Sequence, residues 1–195
     1  MRHLIYITLC LFGLATTAQS TILINNVVIF NGKDEKTITG NVLVVNNLIQ
    51  KISTSPIPTN KSGNTVIIDG KGKFLMPGLI DAHWHAILTA STMNELMYAE
   101  PGYVFIKAGD EAANTLMRGF TSVRDLGGPS FGLKKAIDDG VIDGPRIWPS
   151  GSIISQTSGH GDFRSVNERP VSLGGCLHHS EEIGGATIAD GKDAV

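Results

Sequence analysis

The sequence predicts an α/β fold in which a small β-rich segment precedes the first three βα units of a parallel sheet or (β/α) barrel. Three observations predict it. Between Thr21 and Ile68, short runs rich in Val, Ile and Leu alternate with Asn, Gly and Pro punctuation. After Gly78 the rhythm becomes βαβαβ, with polar or glycine-rich residues following each apolar run. The 23 glycines of this 195-residue chain exceed the usual share of about 7%, and most lie after residue 100, as tight turns and backbone close to a ligand require.

Residues 1–20 read as a signal peptide. Arg2 and His3 form a short basic start, Leu4 to Leu14 an apolar core, and Ala15 to Ser20 a small-residue cleavage region. The core is too short to span a bilayer stably. The alternative is a buried N-terminal strand or helix. Export to the periplasm or the exterior is expected, with Cys176 the only cysteine left after cleavage, so no internal disulfide can form in the mature chain.

Thr21 to Phe30 is extended by composition, with Asn25-Asn26 as a turn or bulge. Asn41 to Ile52 reads as two strands around Asn46-Asn47. Thr65 to Ile68 is another strand, closed by Asp69-Gly70. Strands this short and frequent predict a mostly antiparallel β domain over residues 21–73, too small for an independent core. The second part, residues 74–195, holds the alternating units. Leu79 to Ala82 is a short buried strand. Gly109 to Arg118 is helical, with Ala112, Ala113, Leu116 and Met117 on one side, and Gly119 stops it. Phe120 to Val123 is the second strand, Phe131 to Asp139 a helix stopped by Gly140, and Pro145 to Trp148 the third strand. The end, from Ile188, reads as the opening of another helix. From Gly78 onward the chain is under half the roughly 250 residues that a full barrel takes, so a truncated sequence is expected; the alternative is a small complete α/β domain.

The formal charge of -2 gives no reason to expect nucleic acid as a partner. The sharpest chemical signal is His83 and His85, one residue apart beyond a predicted strand. On extended backbone, side chains at i and i+2 point to the same side, so two imidazoles can converge on one ion. Such a pair also arises in protein cores; its place after Asp81 and a Pro-Gly break favours metal. Asp81 could hold a ligand histidine from behind, or cap a turn. Trp84 faces the other way and packs. His160 lies in the glycine-rich stretch Ser150 to Gly161 after the third strand, where it either touches substrate or sits in water. Arg124 and Asp125 suit an ion pair buried with loop backbone, with substrate carboxylate binding by Arg124 as the alternative. His178 and His179 are adjacent and cannot share one ion in the same way; they read as a mobile loop. No phosphate-cradling G-x-x-x-x-G-K loop and no G-x-S-x-G elbow is present.

Met76 to His85 (MPGLIDAHWH) resembles the start of the catalytic barrel in the metal-dependent amidohydrolase superfamily. Met117 to Gly128 (MRGFTSVRDLGG), Gly144 to Ile147, Ser150-Gly151 and Gly159 to Asp162 strengthen the likeness, which covers residue 21 to the end. They point to the branch with imidazolonepropionase-like proteins and Xaa-Pro or Xaa-Arg dipeptidases. The resemblance implies a TIM-like (β/α)8 barrel preceded by part of a small composite β-sandwich. It implies His83 and His85 as ligands of a divalent metal, zinc first, with one or two ions bound. It further implies a lysine, more histidines and a catalytic aspartate on later strands, none assignable before Val195; Asp190, Lys192 and Asp193 are not nominated. The implied activity is hydrolysis of an amide or peptide C–N bond in a small substrate, in the manner of a dipeptidase; beside it, the residues themselves offer His160, Asp81 and Arg124 as candidates for substrate contact or for support of the ligands. A cyclic amide is the nearest alternative substrate. The rivals of another class are an inactive truncated remnant and a metal-binding or structural module. A homo-oligomer is compatible with all of these.

Overall fold

The computed structural model describes residues 20–59 and 64–195. The predicted signal peptide therefore lies outside the described residues, except for Ser20. The chain divides between Pro77 and Gly78 into two compact units. Among the described residues no helix is long and apolar enough to cross a membrane.

The first unit is one five-stranded sheet. Strand β1 (Thr21–Ile29) pairs antiparallel with β2 (Ile38–Val45), which pairs antiparallel with β3 (Leu48–Ser53). The register of β1 slips between Ile24 and Val27, where Asn26 takes φ 55°, a left-handed conformation that asparagine tolerates better than most residues. Asn46 does the same, at φ 56°, in the β2–β3 turn. The expectation of a mostly antiparallel domain needs correction: β4 (Thr65–Asp69) and β5 (Phe74–Leu75) both run parallel to β1. They occupy successive stretches of the same edge, Thr21 to Asn25 and then Val28 to Ile29. Val27, Ile29 and Val42 form the small core of this unit.

The second unit is built on a parallel three-stranded sheet of β6 (Leu79–Trp84), β7 (Phe120–Asp125) and β8 (Arg146–Pro149). Helices α1 (Met93–Tyr98) and α2 (Pro101–Met117) connect β6 to β7, and α3 (Phe131–Asp138) connects β7 to β8. This is an α/β arrangement, and no closed barrel is formed by the described residues. Trp84, Ala86, Val123 and Ile147 make its core, with Phe120, Leu133 and Ile137 packed against them.

Several local expectations change. Strand β6 is not buried at its start: Ile80 is 73% exposed and only Trp84 is buried, because β6 is an edge strand with β7 as its single neighbour. Helix α2 begins eight residues earlier than expected, at Pro101, with the Glu100 side chain accepting from the Tyr103 amide at 3.1 Å. Its buried face is Val104, Ala108, Ala112 and Thr115, and Met117 points to solvent. A second parallel pair, β9 (Ile153–Ser155) with β10 (Ala186–Ile188), escapes sequence reading. The residues after Ile188 form turns and not a helix. His178 and His179 are not in a loop: His178 caps the short helix α4 (His179–Glu182), its Nδ1 lying 2.8 Å from the Ser180 hydroxyl.

Candidate metal centre

His83, His85, Arg124 and Asp125 lie where β6 and β7 end. Trp84 and Asp125 are paired in register and both are buried. The Leu126 amide donates to the Trp84 carbonyl at 2.9 Å and extends the ladder one step further. The register between the strands slips between Asp81 and Trp84. Across that slip the Asp81 carboxylate accepts from the His83 amide at 2.9 Å. Of the two roles open to Asp81, this contact is the turn role: it shapes the backbone at His83 and does not touch an imidazole.

His83 and His85 come together, with ring centroids 5.2 Å apart and planes at 71°. His83 is exposed and His85 half-buried. The Nδ1 of His85 stands 3.4 Å from the Gly127 carbonyl oxygen. A carbonyl only accepts, so this contact suits the tautomer with its proton on Nδ1, which leaves the Nε2 lone pair free. That is the state in which a histidine binds a metal. Gly127 belongs there for steric reasons, since a Cβ at this position would overlap the Ile153 side chain and lie 3.6 Å from the His85 ring.

Asp125, which spacing alone does not single out as a site residue, sits beneath this arrangement. It is fully buried, and its Oδ1 accepts from the Gly127 amide at 3.3 Å. Burial raises its pKa, while the Ser130 hydroxyl, the Gly127 and Ala86 amides and the His85 imidazole pull it down. The expected ion pair of Asp125 with Arg124 does not form: Asp125 is buried, Arg124 is exposed, and consecutive strand residues face opposite sides.

His160 is exposed in the loop after β9. Its neighbour Gly161 packs on Ile153, the residue that also covers Gly127. The loop is braced by Arg164, whose Nε and terminal nitrogen donate to the two oxygens of Asp162 at 2.8 and 2.7 Å. That guanidinium holds the Asp162 carboxyl well below the usual carboxylate range. Thr157 ties the same loop to Asp190, its hydroxyl donating at 2.7 Å and its amide at 2.8 Å.

The donor set fits a divalent ion of the zinc type as far as it goes: two imidazoles with ring centroids 5.2 Å apart, one of them against a backbone carbonyl, with a buried carboxylate close by. Among the described residues, no three His, Cys, Asp or Glu side chains form a metal-binding group, so the pair supplies part of a ligand set. A groove of about 750 Å³ between α2 and α3 is lined by apolar residues such as Phe105, Ile106 and Leu133, and by none of the candidate site residues.

Residues 74–190 match the model of the amidohydrolase family. The chain is 38% identical over 129 residues to the ochratoxinase of Aspergillus niger, covering 62% of this chain and 27% of that protein. A crystal structure of an amidohydrolase superposes with a TM-score of 0.71 at 34% identity, over 90% of this chain and 42% of that one. A prolidase complexed with N-methylphosphonate-L-proline superposes with a TM-score of 0.73 at 29% identity, again over 90% and 42%. The chain thus spans about a quarter of the curated relative and about two fifths of these solved chains.

Proposed function

Since the chain belongs to the amidohydrolase family, we propose that it is the N-terminal part of a metal-dependent hydrolase of C–N bonds, with a dipeptide or related small amide as substrate. The observation that carries this reading is the His83–His85 pair at the end of a parallel strand, with the His85 Nδ1 turned onto the Gly127 carbonyl. In this reading β6, β7 and β8 are the first three strands of a (β/α)8 barrel, whose active sites gather at the carboxyl ends of the strands. The five-stranded sheet before Gly78 is then part of a composite β-sandwich.

His83 and His85 would hold a divalent ion, zinc first, through their free nitrogens. When bound there, the ion supplies Lewis acidity toward the substrate carbonyl and lowers the pKa of water. Asp81 shapes the turn that presents His83, and the Gly127 carbonyl fixes the His85 tautomer. Arg124 is exposed at the end of β7 with no ion-pair partner among the described residues, and so is free to receive a substrate carboxylate. The likeness to a prolidase supports a dipeptide with such a carboxylate. His160, on the braced loop after β9, would contact the substrate. Residues 1–20 would direct export, so the mature protein should begin near residue 19 when its N-terminus is sequenced.

The test uses the full-length protein and a panel of dipeptides. Dialysis against a chelator should abolish hydrolysis and added zinc should restore it. Changing both His83 and His85 to Ala should remove the metal and activity together. A full-length protein that carries no stoichiometric metal, or a double variant that keeps its metal, would sink the proposal.

A further inference from the structure

We propose that Asp125 is a positioning residue: it sets the turn at the end of β7 so that the Gly127 carbonyl holds His85 in its ligand orientation. This rests on the metal-site reading above and adds a residue to it. The link is a chain of two contacts. Asp125 Oδ1 receives the Gly127 amide at 3.3 Å, and the carbonyl of the same glycine receives His85 Nδ1 at 3.4 Å. Both ends are anchored. Asp125 is paired in register with Trp84, the residue before His85, and the Leu126 amide binds the Trp84 carbonyl. Gly127 packs against Ile153, closely enough that a Cβ there would overlap it.

The carboxylate is costly where it stands. It is fully buried, with only the Gly127 and Ala86 amides and the Ser130 hydroxyl around it in place of water. A group used only to close a turn would be as effective at the surface, without the desolvation cost. Its place beneath His85 accounts for that cost: it orders the backbone behind the ligand and puts negative charge near an imidazole that must donate its lone pair.

The experiment measures two properties of the full-length protein, with Asp125→Ala and Asp125→Asn as variants. The first is zinc affinity by chelator competition. The second is the His85 tautomer in the metal-free protein, from ring ¹⁵N NMR, assigned by loss of the signal in His85→Ala. The wild type should show His85 protonated on Nδ1. D125A should lose about 10- to 100-fold in zinc affinity and show a mixed tautomer. D125N, whose carbonyl still accepts from Gly127, should recover part of both. Wild-type affinity and tautomer in D125A would overturn the proposal. If D125A does not fold, the wild-type spectrum decides: Nδ1–H supports the link, and Nε2–H overturns it. Failure of the metal reading itself has a different signature. Wild type and H85A would then take up the same sub-stoichiometric zinc, while the tautomer still reports on Asp125.

Discussion

Glu95 shows how much one side chain can do at a helix start. It accepts from the Thr92 amide at 2.8 Å and from Lys107 Nζ at 2.9 and 2.8 Å on its two oxygens. The Lys107 contact, then the Thr92 amide, lower its pKa from 4.5 to about 2. A carboxyl depressed on folding contributes stability above its unfolded pKa, lost as pH falls through the folded value. The contribution of Glu95 should therefore fade between about pH 4.5 and 2, and Glu95→Gln should flatten the acid limb of a thermal-melting series in that window. Asp162 and Arg164 give a second prediction. Their side chains are 6% and 5% exposed, so removing Asp162 alone strands a guanidinium away from water. Asp162→Ala should lower the melting temperature more than the double variant D162A/R164M; the reverse order would show that the pair is effectively solvated.

Elements obey sequence signals that are easily passed over. Thr92-x-x-Glu95 is a capping box, and in the structure both of its reciprocal bonds form at the start of α1. Thr92→Ala should cost about 1 kcal/mol, read as a drop in denaturant midpoint at unchanged slope. Pro101 at the first position of α2 was an equally plain signal, and it explains why that helix starts well before its alanine-rich stretch. The placing of Met117 on the α2 core face fails for another reason. With the helix phased from Pro101, the buried stripe runs through Val104, Ala108, Ala112 and Thr115, and Met117 falls outside it.

At the scale of the whole molecule, the second unit depends on residues brought together from three strands. Ile147 on β8 is 1% exposed and packs with Trp84 and Val123. Ile147→Ala should destabilise by about 2–5 kcal/mol, measured by denaturant unfolding; a loss below about 1 kcal/mol would mean that this core collapses around the gap. The sequence by itself determined the alternation of β6, α2, β7, α3 and β8, the glycine stops at Gly119 and Gly140, and the one-residue spacing of His83 and His85. These depend on neighbours a few residues apart, where backbone geometry alone relates the side chains. Only the tertiary structure decided that β4 and β5 join β1 in parallel, that β10 returns to β9, and that Asp125 lies buried beneath His85 while Arg124 faces out. Those outcomes depend on segments distant along the chain meeting in space. The cost of burying a charge, or the gain from pairing an edge, exists only once they have met.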